Sequence, residues 1–84
     1  DQALRLWQQA LERLRHEGQT YVVSQLLQLR ALRLEGDTLV LGVEDLFFRD
    51  WVDDHYADLL RASLEAVRGQ PVPVKWEKVE KRVT

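Results

Sequence analysis

The chain is 84 residues long, 45% hydrophobic and 31% charged, a composition that suits one small folded core and excludes a disordered chain. Twelve basic residues against fourteen acidic ones give a formal charge of −2, without the excess of Lys and Arg that marks a nucleic-acid binder. The absence of cysteine excludes a disulfide framework or thiolate zinc site and fits a reducing cytosol, and no apolar run has the length of a membrane span.

A domain this short buries only roughly 60% of its unfolded surface, so its stability margin is thin. The sequence begins at Asp1 without a methionine, which points to a piece of something longer, and no signal-peptide pattern is present. Along the first segment, Leu4, Trp7, Leu11 and Leu14 recur at steps of three and four, with Leu6 and Ala10 beside them. That spacing predicts an amphipathic helix, closed by Gly18. Thr20 then caps a shorter helix over about Tyr21 to Leu29, whose apolar set is Val22, Val23, Leu26 and Leu27.

From Leu32 the period changes to two. Leu32 and Leu34 alternate with Arg33 and Glu35, and Leu39, Leu41 and Val43 with Val40 and Gly42, around a Gly36-Asp37 turn. A β-hairpin is the expectation. Asp45 caps a long helix over about Leu46 to Arg68, with Phe48, Val52, Tyr56, Leu59, Leu60, Ser63, Leu64 and Val67 inward and Gly69 at its end. Val72, Val74 and Trp76 alternate as a last strand, an edge strand because Pro73 lies within or before it. The expected fold is therefore α+β in the order α-α-β-β-α-β, a three-stranded sheet with helices on one face. One domain spans 1–77, and 78–84 is a charged tail that frays or begins a linker.

No catalytic or metal-binding pattern stands out. Asp53, Asp54 and His55 are adjacent and diverge on a helix, whereas ligands need spacings of three or four. Asp50 and Asp54 do share a face, which reads as a solvated acidic surface. His16, Ser24 and Ser63 have no partner by sequence, and no phosphate-binding glycine loop occurs. The expectation is a chain that is not an enzyme and takes no cofactor. Phe47 and Phe48 are adjacent, so one, Phe48 by periodicity, is core and the other is an exposed docking knob. Trp51 flanks that position outside the strict stripe. Trp7 reads equally as core aromatic or interface anchor, because the apolar arc of its helix is wider than one small sheet needs.

Three blocks carry a family resemblance. Leu6-Trp7-Gln8-Gln9-Ala10-Leu11 with Leu14 resembles the opening helix of the N-terminal domain of DnaA, the bacterial replication initiator. Gly36-Asp37-Thr38-Leu39-Val40-Leu41 resembles that family's hairpin, and Phe47, Asp50-Trp51-Val52 and His55-Tyr56 the start of its last helix. The resemblance implies a KH-like fold and a bacterial, cytoplasmic, nucleoid-associated role in assembly at the replication origin. The implied partners are a second copy, bound weakly, and the replicative helicase or initiation regulators. Carried over, the self-association surface falls on Leu6, Trp7 and Ala10, and the helicase or regulator surface on Val22, Asp45 and Phe47. The sequence departs from the family where a phenylalanine, a tryptophan and a proline of the second helix read Val23, Leu26 and Leu29. Val22 stands where the family has an acidic residue, and Asp45 where it has asparagine.

Two other readings stay open. A KH-like fold raises single-stranded nucleic acid as a partner, and Arg30, Arg33 and Arg49 are the candidates for a weak contact. Gly18, Gly36, Gly42 and Gly69 never form the G-X-X-G loop that clamps a backbone in KH domains. The third reading is an adaptor or inhibitor that mimics the initiator's domain.

Overall fold

The computed structural model describes residues 1–80 of the chain. The elements follow in the order α1 (Gln2–His16), α2 (Thr20–Leu26), β1 (Arg30–Glu35), β2 (Thr38–Val43), α3 (Leu46–Arg68) and β3 (Val74–Lys78). The sheet has three strands in the order β1-β2-β3; β1 and β2 are antiparallel and β2 and β3 parallel. The expected α+β architecture is what forms, with α3 as the crossover that two parallel strands require.

Helix α1 packs against α3, β1 and α2, which explains the breadth of its apolar arc. Ala3, Leu6, Trp7, Ala10, Leu11 and Leu14 are buried, whereas Leu4, expected on the stripe, lies at its margin and is 45% exposed. The helix closes as Gly18 N–H bonds the Arg15 carbonyl (3.0 Å) and Gln19 N–H the Leu14 carbonyl (2.9 Å). Across the core, the buried Ser63 of α3 donates its Oγ–H to the Ala10 carbonyl at 2.7 Å. Two small residues thus bring α1 and α3 close, and the one buried hydroxyl of the core is satisfied.

The second helix is shorter than its periodicity predicts. Thr20 is its first helical residue rather than its cap, and the preceding Gln19 makes no side-chain capping bond. The helix ends at Leu26, and the chain turns, so that Leu29 enters the core at 3% exposure while Leu27 is left 66% exposed. A seven-residue helix held by packing alone cannot carry its stripe past the turn.

In the hairpin, positive φ occurs at Gly36 (63°) and not at Asp37, the pattern of a type II′ turn with glycine first. Strand β1 begins at Arg30, two residues before expected, because a bulge at Leu32 shifts the register between Ala31 and Arg33. Ala31 and Leu34 therefore face the helices with Leu39, Leu41 and Val43, and Leu32 turns to the other face. There it meets Gly42, whose bare α-carbon also receives Val79. A β-carbon at Gly42 would lie 2.9 Å from Val79 Cγ1 and 3.1 Å from Leu32 Cδ2.

The expected tail boundary at 77 falls inside the sheet: β3 runs to Lys78, and Val79 N–H donates to the Val43 carbonyl at 2.9 Å. Residues 81–84, the rest of the expected fraying tail, lie outside the described residues. Pro73 precedes the strand and offers its carbonyl to Leu39 N–H (2.8 Å), as an edge position allows.

Over the outer face, Arg33 spans the central strand. It donates to Glu77 at 2.6 Å and to Glu35 at 2.8 Å, and Lys75 reaches Glu35 at 3.3 Å. Val40, fully buried, lies beneath this bridge. Hydrogen bonds from Arg33 hold both carboxyls below their ordinary value near 4.5. A depressed carboxyl stabilises the fold above its unfolded pKa, and that contribution is lost as pH falls through the folded value. Thermal melts between pH 6 and pH 3 should therefore show a fall that is shallower in a Glu35→Gln/Glu77→Gln variant. Identical slopes for the two proteins would refute the assignment. The groups are solvent-exposed, so the effect is small.

Candidate docking site

The carboxyl ends of two parallel strands and the N-terminus of the helix that joins them form a natural recognition edge, because the chain diverges there. Here that edge is built by the end of β2, the end of β3 and the first turn of α3. Asp45, in extended conformation, caps α3 by accepting from Phe47 N–H at 2.8 Å. This cap fixes where the helix begins and therefore which way its first side chains point. Phe48 turns inward and is half-buried, while Phe47 is 86% exposed, as their adjacency predicts.

Leu46 and Phe47, with Gln28, Glu44, Asp45 and Lys78, border a shallow concavity. A neighbouring depression has Val43 and Phe48 on its floor. Behind Phe47, Trp51 stacks on Phe48 with ring centroids 6.1 Å apart and on His55 at 4.8 Å, and meets Tyr56 edge-on. The His55 Nδ1–H donates to the Trp51 carbonyl (2.8 Å), since a carbonyl can only accept. Phe47 stands apart from this aromatic rank, its ring stacked on none of its members. An exposed aromatic beside a capped helix end can insert into an apolar pocket of a partner.

The other candidate residues are placed differently. Leu6, Trp7 and Ala10 are buried inside the protomer, Trp7 to 3% exposure. Leu6 alone reaches a surface feature, the floor of a shallow groove walled by Gln2, Arg5, Gln9, Val67 and Arg68. Val22 is also buried, so the outward side of α2 is carried instead by Tyr21, 67% exposed, and by Leu27 beyond its end. Periodicity gives Tyr21 away, since it falls off the Val22, Val23, Leu26 stripe; the exposure of Leu27 has no signal short of knowing where α2 stops.

Arg33 is engaged by Glu77 and Glu35 on the outer sheet face, and Arg49 pairs with Asp50 at 2.9 Å on α3. Arg30 and Arg33 pair with Gly42 and Val40, alternate residues of β2, and so share the outer sheet face, whereas Arg49 lies on α3, which packs on the opposite face. Among the described residues no group of His, Cys, Asp or Glu is placed to hold a metal ion, and no helix is long and apolar enough to cross a membrane.

The fold and its protruding, capped aromatic edge define a small α+β interaction module. The chain belongs to the DnaA N-terminal domain family, whose sequence model matches residues 5–66, well over half of its length. Domains of this family are non-catalytic protein-interaction domains of the bacterial replication initiator.

Proposed function

We propose that the domain recruits the replicative helicase or an initiation regulator through Phe47, with Asp45 and Gln28 bordering the same concavity. It also associates weakly with a second copy through α1, in the bacterial cytoplasm. The observation that supports the first part is the near-complete exposure of Phe47 on a capped helix start. Val22 acts from within, by holding α2 in place. For self-association, Leu6 floors the groove beside the end of α3, and Trp7 and Ala10 support it from inside.

The test is Phe47→Ala in surface plasmon resonance against the replicative helicase of the same bacterium. Losing a hot-spot aromatic costs about 2 kcal/mol or more, so binding should weaken at least about thirty-fold. The fold should stay within about 0.5 kcal/mol of wild type, because the side chain leaves no cavity. Unchanged helicase and regulator binding in a well-folded Phe47→Ala protein would overturn the proposal.

A further inference from the structure

On the flank of α3 away from the docking edge lies a second groove, between that helix and β3. On the strand side it is lined by Val72 and Pro73, just before β3, and by Val74 and Trp76 within it; its helix wall is Asp53, Ala57, Leu60 and Arg61. The walls match in length. Val72 to Trp76 spans roughly 13 Å of extended chain, and Asp53 to Arg61 roughly 12 Å of helix.

The strand is the free edge of the sheet. Toward β2, the Pro73 carbonyl accepts from Leu39 N–H and the Val79 N–H donates to the Val43 carbonyl. Backbone groups alternate sides along a strand, so those of residues 73, 75, 77 and 79 face β2. The N–H and C=O groups of Val74, Trp76 and Lys78 therefore point outward, unpaired by any strand among the described residues. Their neighbouring side chains line the groove. An open ladder beside an apolar slot is what strand addition requires, with main-chain bonds for affinity and the slot for alternate side chains.

The charges give the occupant its polarity. Since α3 runs back between two parallel strands, Asp53 stands at the Trp76 end and Arg61 at the Val72 end. Arg61 is already paired with Asp58 at 3.5 Å, while Asp53 has no ion pair among the described residues. We propose that this groove binds an extended peptide segment of a partner protein by adding it as a fourth strand to β3. The segment alternates apolar side chains into the slot and brings a Lys or Arg to Asp53. The site is separate from the Phe47 edge and does not depend on the function proposed there.

The experiment is an NMR titration of the isotope-labelled chain with a capped hexapeptide, lysine followed by alternating valine and threonine. Binding should be saturable, with shifts centred on the Val74, Trp76 and Lys78 amides and the Trp76 indole. N-methylating alternate peptide bonds, which removes the ladder donors without altering the side chains, should weaken it at least ten-fold. Asp53→Lys, an exposed substitution that spares the core, should weaken it as well. Absence of shifts at millimolar peptide, shifts confined to Phe47 and its surroundings, or equal binding of the N-methylated peptide would each overturn the proposal.

Discussion

Trp7→Ala should unfold much of the protein at growth temperature rather than merely weaken an interface. The side chain is 3% exposed within the cluster that joins α1 to α3 and the sheet. Truncating a buried tryptophan to alanine costs about 3–5 kcal/mol through lost burial and the cavity left behind. Small domains have stabilities of about 5–15 kcal/mol in all, and one of this size sits toward the lower end. At about 4–8 °C per kcal/mol, the melting temperature should fall by roughly 12–40 °C in circular dichroism. Leu4→Ala, on the same helix but half in solvent, should shift it by only a few degrees. Loss of self-association in a Trp7 variant therefore speaks for an interface only if its melt is unchanged. A near-native melt together with lost self-association would show that Trp7 leaves the core to meet a partner.

Gly42→Val should destabilise the domain although valine is the better strand former. Strand propensities span only ~1 kcal/mol between extremes. Against that gain stands a β-carbon placed 2.9 Å from Val79 Cγ1 and 3.1 Å from Leu32 Cδ2, with two further methyls to accommodate. Overpacking of this kind costs about 1–3 kcal/mol, so the net effect is a loss. The strain falls on the end of β3, whose outer edge has no strand neighbour. Amide exchange should therefore rise first at Glu77 and Val79, before the β1–β2 hairpin is affected. Adding Val79→Ala should restore part of the lost stability by clearing the space. A Gly42→Val protein more stable than wild type, with β3 amides still protected, would show that the outer-face contact is loose.

These two sites mark the limit of what patterns along the chain could reveal. The hairpin was legible because Leu39, Leu41 and Val43 alternate cleanly and glycine sits where a type II′ turn needs positive φ. The long helix was legible because its cap and stop, Asp45 and Gly69, bracket an unbroken stripe. The glycine at 42 reads as one more small residue in a strand until the bulge at Leu32 brings a side chain of β1 onto it. The α1 and α2 apolar residues were legible as apolar, but not by which side of each would be covered. For α1 that depends on α3, which returns to pack beside it from some fifty positions later, and α2 in turn packs on α1; the Ser63 bond to Ala10 shows how far apart the meeting residues lie.

The docking edge divides in the same way. Phe47 could be foreseen as exposed, because two adjacent aromatics on a helix cannot both face one core, and the assignment of Phe48 inward followed from the stripe. Val22 fell on the inward stripe of α2, but Leu27 could not be placed, because a two-turn helix has too few residues for its period to fix where it ends. The sequence by itself determined the order of elements, the hairpin turn, and the cap and stop of the long helix. These rest on local backbone preferences and on hydrophobic spacing within single elements. Tertiary structure alone decided that Trp7 is core, that Leu27 is surface, that Arg33 is tied down by Glu35 and Glu77, and that β3 presents a free edge beside a groove. Each of those depends on which distant segments come to lie against each other, and no local period records that.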